Sequence, residues 1–274
     1  MHIVCDIGGT NMRVAAVSGD SLGEIKKVPT PKDPLEGVAM LAALARECAH
    51  GEEVSVLVGG IAADRISESG EVSGATNLRA WEKVNIIRSL SDALGAPVKL
   101  VNDTAAIGMG EAYFGAGRGS SNFSYITVST GVGGALIRDG NIADAGGFVE
   151  VKIDGITLED LVSGTAVTKK FGISPKDLDS VEERNKLADI LAEGLRVVMK
   201  RWSPDVIVLG GSMIVGANPI PIPRVQESLD KLLTGQGKSP VIKMAELGDN
   251  GGLMGGIALL RQGFEGQALL KQSA

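Results

Sequence analysis

The segment DIGGTNMR, from Asp6 to Arg13, combines a carboxylate, two glycines, a threonine and an arginine directly after an apolar run. The run itself, HIVCDI, predicts a buried strand, at whose end an unpaired carboxylate would be costly. Adjacent glycines permit a bend in which backbone N–H groups point at an anion. The segment therefore predicts a place where a phosphate and its metal ion meet the chain.

Two further segments carry residues that can do related chemistry. YITVSTGVGGALI again places an apolar strand, a polar residue, a glycine turn around Gly131 and a second strand in that order. VNDTAAIGMGE puts Asn102 and Asp103 where a predicted strand ends and a helix begins. A carboxylate at this position can accept a proton from a nucleophilic hydroxyl or merely cap the helix, and the residues alone leave both readings open.

The elements that must position these residues alternate between strand and helix patterns. Strands are predicted for HIVCDI, MRVAAVS, GEIKKVPTP, VSVLVGG, APVKLVND, NFSYITV, GALI, PDVIVLGGS and PVIKMAEL, and turns at Gly70 and Asp139–Gly140. A helix capped by Asp33 is predicted up to Glu47, with an apolar stripe of Leu35, Val38, Leu41, Leu44 and Ala45. Further helices are predicted for VNIIRSLSDAL, TAAIGMGEAYFGAG, 181–202, 225–233 and GGLMGGIALLRQGF.

The order of strand, glycine turn and second strand in the first half returns in the second half, which indicates an internal duplication. We therefore predict an α/β protein of two lobes, each built on a mixed sheet, with the two glycine turns facing a nucleotide cleft between the lobes. The N-terminal lobe is predicted to span 1–115, completed by the C-terminal helix 251–274. The other lobe is predicted to span 116–250.

The composition excludes several classes of protein. With 274 residues, 44% hydrophobic and 22% charged, and a formal net charge of -6, the chain is unlike a general nucleic-acid binder. Cys5 and Cys48 lie in apolar segments and predict buried thiols. No apolar stretch reaches the ~18 residues of a membrane span, and no secretion signal is recognised. We expect a cytoplasmic protein without a membrane partner.

These segments, in this order, resemble the motifs of the ROK family (repressors, uncharacterised open reading frames and sugar kinases), which has the actin-like ATPase, or ribonuclease-H-like, fold. Asp6–Arg13 matches the family's first phosphate motif, D-x-G-G-T-x-x-R, and YITVSTGVGGALI resembles the second, with Ala135 in place of a glycine. PDVIVLGGS resembles the adenosine segment. The resemblance implies ATP with Mg²⁺ near Asp6, and the ATP-binding residues Asp6, Gly8, Gly9, Thr10, Asn11, Arg13, Thr130, Gly131, Gly133, Gly134, Gly210, Gly211 and Ser212.

The resemblance also assigns the sugar-binding side. It makes Asp103 the catalytic base and Asn102 a sugar ligand, and it places Asn77 of NLRAW in the family's N-L-P-G-W loop. Glu159 of LEDLVSGTA is the matching sugar-binding carboxylate, and Gly60 stands where many members have G-P. The glycines of GDNGGLMGG match the closing helix, whose small residues we expect to serve tight packing.

One family segment is missing. ROK sugar kinases usually carry E-x-G-H followed by a cysteine-rich zinc loop, whereas Gly147 or Phe148 stands where the histidine would be. With only His2 and His50 in the chain and no cysteines in this stretch, we expect no zinc site. Glu150 and Asp144 are the candidates to replace the missing glutamate.

The resemblance therefore implies an ATP-dependent sugar kinase that phosphorylates the 6-hydroxyl of a hexose or N-acetylhexosamine, such as N-acetylmannosamine, N-acetylglucosamine or glucose. Its partners would be the sugar and a second copy of the chain. Two alternatives stay open. An actin-like ATPase switch would hydrolyse ATP without a sugar, and a sugar-sensing ROK protein would lack kinase activity. Against a repressor, the phosphate motif begins at residue 6 and leaves no room for a preceding helix-turn-helix.

Overall fold

The computed structural model describes residues 1–67, 69–145 and 151–263. The chain divides into two compact units. Unit 1 comprises Met1–Gly110 and the segment from Asp249 onward, and unit 2 comprises Glu111–Gly248. Strands and helices are numbered along the chain.

Unit 1 is built on one mixed sheet with strand order β3-β2-β1-β5-β8, in which β4 also pairs with β2. The strands are β1 His2–Ile7, β2 Asn11–Ser18, β3 Ser21–Leu22, β4 Lys26–Pro29, β5 Val56–Ile61 and β8 Val98–Asn102, with a small hairpin of β6 Arg65–Ile66 and β7 Val72–Ser73. The helices are α1 Pro34–Cys48, α2 Ile86–Leu94, α3 Asp103–Phe114, which continues into unit 2, and α9 Gly251–Arg261.

Helix α1 begins as predicted but buries a different first residue. Asp33 is its N-cap, and the Asp33 carboxylate accepts the N–H groups of Leu35 and Glu36 at 2.9 Å each. The prediction that Leu35 belongs to the apolar stripe is wrong, because this side chain is 61% exposed. Pro34 is buried instead. It lies four residues before the buried Val38 and so continues the same helical face, from which Leu35 is rotated by about 100°.

Helix α9 packs directly on β1 through its glycines. A Cβ added at Gly252 would lie 2.8 Å from Cγ of Asp6, and one added at Gly256 would lie 2.7 Å from Cγ1 of Val4. Side chains larger than hydrogen would push the helix off the sheet. The prediction that these small residues serve close packing is confirmed.

Unit 2 has a second mixed sheet with strand order β11-β10-β9-β14-β15. The strands are β9 Asn122–Val128, β10 Val132–Arg138, β11 Asn141–Ala145, β14 Val206–Gly210 and β15 Val241–Met244, with a small hairpin of β12 Lys152–Ile153 and β13 Ile156–Thr157. The helices are α4 Leu158–Val162, α5 Gly164–Phe171, α6 Val181–Trp202, α7 Ser212–Val215 and α8 Ile222–Leu232.

The two sheets share one topology. In unit 1, β1 pairs antiparallel with β2 and parallel with β5, and β5 pairs parallel with β8. In unit 2, β9 pairs antiparallel with β10 and parallel with β14, and β14 pairs parallel with β15. The internal duplication predicted from the repeated strand and glycine turn is therefore confirmed.

Both cysteines are buried free thiols, as predicted. Burial is the main cause that raises the pKa of the Cys5 thiol, and the neighbouring Asp6 carboxylate raises it further. Cys5 is therefore a core residue. Among the residues that the structure describes, no helix is both long and apolar enough for a membrane span.

Candidate active site

Asp6 and Arg13 form an ion pair across the first hairpin of unit 1. They are directly opposite each other in the β1–β2 ladder, and Nη1 of Arg13 donates to Oδ2 of Asp6 at 3.0 Å. Burial raises the pKa of the Asp6 carboxyl, while the Arg13 guanidinium acts in the opposite direction. The hairpin thus holds a desolvated carboxylate at the end of β1.

The turn between these strands, Gly8 to Thr10, is fixed by Thr30. The Thr30 hydroxyl donates to the backbone oxygen of Gly8 at 2.6 Å, and its N–H donates to the backbone oxygen of Thr10 at 2.9 Å. The N–H of Gly8 itself donates to the backbone oxygen of Asn11 at 3.0 Å, within the turn. The turn predicted from the glycine pair is therefore present, and hydrogen bonds from Thr30 hold it in place.

Asn77 lies against the same turn. A Cβ added at Gly9 would overlap the Asn77 side chain, so the close approach requires glycine at position 9. Trp81, in the same loop, is buried, and its Nε1 donates to the backbone oxygen of Pro31 at 3.1 Å. The structure thus brings together a residue predicted to bind sugar and a turn predicted to bind phosphate.

Asp103 lies at the same edge of this sheet as Asp6. In the parallel strands, Asp6 is in register with Gly60, and Gly60 is in register with Val101. Adjacent strands lie about 4.8 Å apart, so β1 and β8 are separated by roughly 10 Å. Asp103 begins α3 directly after β8. The sheet therefore presents both carboxylates at the carboxyl ends of its parallel strands.

The surroundings of Asp103 make its carboxyl less acidic. Desolvation is the main cause that raises its pKa from 3.8 to about 6, and the negative charge of Asp6 adds to it. The backbone N–H of Thr104 donates to Oδ1 at 2.8 Å and acts in the opposite direction. A carboxylate with this pKa is ionised at neutral pH yet is a better proton acceptor than an exposed one.

Asn102, not Asp103, caps helix α3. Oδ1 of Asn102 accepts the N–H of Ala105 at 3.0 Å, and its Nδ2 donates to the backbone oxygen of Ala63 at 2.8 Å. Among the described residues, every hydrogen bond to the Asp103 carboxylate goes to Oδ1. Oδ2 is thus the oxygen available to take a proton from a substrate.

Gly60 gives α3 the room to place Asp103. A Cβ added at Gly60 would lie 3.0 Å from Cα of Asp103 and 3.0 Å from Cβ of Ala106. The contact shows that Gly60 positions the start of the helix. The sugar-binding role implied by the resemblance stays a prediction.

In unit 2, the second glycine turn joins β9 to β10. The backbone oxygen of Thr130 accepts the Thr165 hydroxyl at 2.8 Å, and the backbone oxygen of Ser129 accepts the N–H of Gly164 at 2.7 Å. The start of α5 is therefore fastened to the turn.

Other residues of the second motif lie beside the turn rather than within it. Gly131 is the one glycine of the motif in the turn, whereas Gly133 and Gly134 lie within β10. Oε2 of Glu159 accepts the N–H of Val132 at 2.9 Å, so Glu159 supports the strand that leaves the turn. The structure thus gives Glu159 a contact that the sequence did not predict.

The predicted adenosine segment adjoins this second turn. Gly210 ends β14, and Gly211 has a φ of 87°, a conformation that favours glycine. The hydroxyl groups of Ser212 and Ser129 lie 3.0 Å apart and share a hydrogen bond. A cavity of about 610 Å³ opens here, lined among others by Thr130, Gly164, Thr165, Lys169, Lys176 and Ser212. We call it the unit 2 cavity.

Two aspartates that the sequence left open or missed make contacts in the structure. Asp144 accepts hydrogen bonds from Nη2 of Arg201 at 3.0 Å and Nε1 of Trp202 at 2.9 Å, which ties it to the end of α6. Asp249 was not predicted, and its Oδ2 accepts Nη2 of Arg13 at 3.3 Å. Asp249 stands in GDNGGLMGG beside the glycines of the closing helix, but no local pattern predicts its contact with Arg13, which is 236 residues away.

The other residues considered at the position of the missing family segment lie outside the described residues; they are Gly147, Phe148 and Glu150. Within 1–67, 69–145 and 151–263, no three histidine, cysteine, aspartate or glutamate side chains form a group that could hold a metal ion.

Comparison with known proteins identifies the family of the chain. The family model described as "ROK family" matches residues 2–149 and 155–263. The glucokinase of Thermotoga maritima is 24% identical, with 95% of this chain and 97% of that protein covered.

Two solved structures are similar as well. The ROK hexokinase from Thermus thermophilus is 25% identical with a TM-score of 0.81, covering 95% of this chain and 99% of that one. The ROK family glucokinase from Streptomyces griseus, in complex with glucose and AMPPNP, is 23% identical with a TM-score of 0.80, covering 96% and 99%. The predicted actin-like ATPase fold class is thereby confirmed, and the chain belongs to the ROK family.

Proposed function

We propose that this protein is an ATP-dependent kinase that phosphorylates a hydroxyl of a sugar. The observation that carries the proposal is Asp103, a partly buried carboxylate with a pKa of about 6 whose Oδ2 accepts no hydrogen bond from a described residue. It lies at the same sheet edge as Asp6 and the glycine turn that matches the first phosphate motif of the family.

In the proposed step, the sugar hydroxyl oxygen attacks the γ-phosphorus of ATP. A bond forms between these two atoms, the bond from the γ-phosphorus to the β,γ-bridging oxygen breaks, and ADP leaves. The hydroxyl proton passes to Oδ2 of Asp103. Proton acceptance by a positioned base contributes about 10²–10⁴ in rate, and the rest comes from orientation and charge neutralisation.

Mg²⁺ fits the residues at the end of β1. This ion usually takes one or two carboxylates and completes its shell with water and phosphate oxygens, so Asp6 suffices without a three-ligand cluster. Bound there with ATP, it would neutralise charge on the phosphates. The protein's own part is to hold Asp6 in place, through Arg13 and the contact with Gly252 of α9.

The unit 2 cavity is proposed to take the nucleoside end of ATP. Its lining includes Thr130 of the second turn, Gly164, Thr165 and Ser212, and the cations Lys169 and Lys176. Because the Gly164 N–H and the Thr165 hydroxyl are already bonded to the turn, the two lysines are the groups that suit the phosphate next to the nucleoside. The 23% identical glucokinase was solved with AMPPNP, which agrees with ATP as donor.

The sugar is proposed to be oriented by Asn77, Asn102 and Glu159, beside Gly60. The 6-hydroxyl of a hexose or N-acetylhexosamine is the proposed acceptor, with N-acetylmannosamine, N-acetylglucosamine and glucose as candidates. Homodimer assembly and a cytoplasmic location are further proposals from the family resemblance, of which size-exclusion chromatography with light scattering tests the first.

An ADP-coupled assay with Mg²⁺ and ATP tests the proposal across glucose, N-acetylglucosamine, N-acetylmannosamine, mannose and fructose. We expect ADP release to rise strongly with one or two of these sugars and to be slow without any. Equal ADP release with and without sugar would support the ATPase switch instead. Sugar binding without any ADP release would support the sugar-sensing alternative.

Substitutions of Glu159 can distinguish its proposed contact with the sugar from its hydrogen bond to the strand that leaves the second turn. Glu159→Gln keeps an oxygen that can accept the N–H of Val132 but loses the charge, so we expect the KM for sugar to rise about tenfold with the KM for ATP unchanged. Glu159→Ala should raise both KM values, because the Val132 N–H loses its acceptor. Steady-state kinetics measures both, with Asp160→Asn on the same helix as control. A sugar KM unaffected in Glu159→Gln would remove Glu159 from the sugar site.

The pKa of Asp103 predicts the acid limb of the pH–rate profile. Because the base must be ionised, kcat/KM should fall tenfold per pH unit below about pH 6. The profile is measured from pH 4.5 to 8.5 at constant ionic strength, with circular dichroism recorded over the same range to confirm that the protein stays folded. A flat profile through pH 5 in folded protein would contradict the role of Asp103.

A further inference from the structure

A hydrogen bond from Asn218 closes one side of the unit 2 cavity. Nδ2 of Asn218 donates to the backbone oxygen of Lys176 at 2.8 Å and joins segments 42 residues apart. Lys176 lies in the 3-10 turn Pro175–Asp177, and Asn218 follows Gly216 and Ala217 after α7. Both segments line the cavity. The bond therefore links two of its walls directly.

The remaining walls are fastened by bonds already described. The start of α5 is held to the second glycine turn through Thr165 and Thr130, and the start of α7 is held to it through Ser212 and Ser129. Without the Asn218 amide, the turn that carries Lys176 would lose its described hydrogen bond to the α7 side. Beside the apolar core that Leu178 and Ile220 share, the Asn218 side chain thus supplies the described hydrogen bond between these two walls.

The backbone at Asn218 explains part of the residue choice but not all of it. Its φ of 50° lies in the left-handed region, where glycine and asparagine are favoured. Glycine would satisfy the backbone alone. Asparagine adds the amide that reaches Lys176, so the residue combines a turn conformation with a link between walls.

We infer that Asn218 is a positioning residue for the nucleoside end of ATP, an inference that rests on the proposed function. By holding the Lys176 turn against the segment after α7, it fixes the width of the cavity before the ligand enters. Preorganisation of this kind lowers the cost of ordering on binding. Because the same contribution is present in the ground and transition states, it acts on the affinity for nucleotide rather than on kcat.

The test compares Asn218→Gly with the unmodified protein, since glycine keeps the left-handed backbone and removes only the amide. Isothermal titration with adenosine and with MgATP, without sugar, should show affinities weaker by about 3- to 10-fold. The KM for ATP should rise by the same factor, while kcat at saturating ATP and the KM for sugar stay unchanged. Asn218→Asp, which cannot donate when ionised, should behave like Asn218→Gly.

Asp154→Gly is the matched control, because Asp154 also has a φ of 50° in unit 2 but belongs to neither segment that Asn218 links at the cavity. Unchanged nucleotide affinity in Asn218→Gly would overturn the inference and leave the kinase proposal standing. An equal loss in Asp154→Gly would also overturn it, since the effect would then be general. Absence of adenosine and MgATP binding to the unmodified protein would overturn the inference together with the proposed function.

Discussion

Asp103→Asn is expected to reduce kcat for sugar phosphorylation by about 10²–10⁴, because the amide cannot accept the hydroxyl proton. The substituted side chain would keep an oxygen for the N–H of Thr104, which now donates to Oδ1 at 2.8 Å. The helix start and the Asn102 cap should therefore survive. We expect MgATP binding, measured by isothermal titration, to be unchanged within about twofold.

Asp92→Asn is the control for this substitution, since Asp92 is an exposed carboxylate of unit 1 on α2. It should leave kcat unchanged. An Asp103→Asn enzyme with more than about a tenth of the original kcat would rule out Asp103 as the base.

The same substitution should stabilise the protein. Because the folded pKa of Asp103 is raised from 3.8 to about 6, the folded state binds the proton more tightly than the unfolded state. The free energy of unfolding therefore falls as the pH rises from about 4 to 6. Above pH 6 the carboxylate is ionised in both states, and the full loss of stability from burying its charge is present. Each pKa unit is worth about 1.4 kcal/mol, so Asp103→Asn should gain about 1–3 kcal/mol at pH 7.5.

Urea unfolding at several pH values measures this gain. The difference between the two proteins should shrink toward zero near pH 4, where the carboxyl is neutral in the folded state. A gain that does not depend on pH would assign the effect to packing rather than to the charge.

The first hairpin was predictable from sequence because its contacts are local. A strand, a short glycine turn and a second strand place Asp6 opposite Arg13 without help from the rest of the chain. The position of Asp103 was predictable to the same extent, since a residue that follows a parallel strand must lie at the carboxyl edge of the sheet.

Two local predictions were corrected by the structure. The apolar spacing of α1 predicted Leu35 as the start of the buried face, whereas the packing of the helix buries Pro34 instead. In YITVSTGVGGALI, the second strand is predicted to begin at Gly134, whereas β10 begins at Val132 and its register places Gly133 opposite Thr127 of β9. A glycine run shows where a turn is permitted, not how many of its residues the turn uses.

The partners of long-range contacts could not be predicted from the sequence pattern. Asn218 reaches Lys176 across 42 residues, and Glu111 reaches Leu247 across 136. Glu111 did carry one local signal, because a glutamate in the apolar segment AAIGMGEAYF predicts either exposure or a buried partner. Only the fold shows that it is fully buried and what it binds.

Glu111→Ala is expected to destabilise the protein by at least about 3 kcal/mol, because its carboxylate serves three backbone donors. Oε2 accepts the N–H of Ala116 at 2.8 Å, and Oε1 accepts those of Glu246 and Leu247 at 3.0 Å each. Hydrogen bonds to a charged group contribute about 1.5–3 kcal/mol each, and part of the loss is recovered where water reaches the freed groups. The alanine would also leave a cavity beside Gly115, which approaches Oε2 closely.

Urea unfolding measures the loss, and two further variants keep the result interpretable if Glu111→Ala does not fold. Glu111→Gln retains one accepting oxygen but turns an amide N–H₂ toward a backbone donor, so we expect an intermediate loss of about 1–2 kcal/mol. Glu227→Ala removes an exposed carboxylate of α8 that pairs with Lys231, and should change stability by less than about 0.5 kcal/mol. A Glu111→Gln protein as stable as the original would show that the three donors do not depend on the charge. The donors lie in two segments of unit 2 that are distant in sequence. That result would mean that apolar contacts alone hold these two segments together.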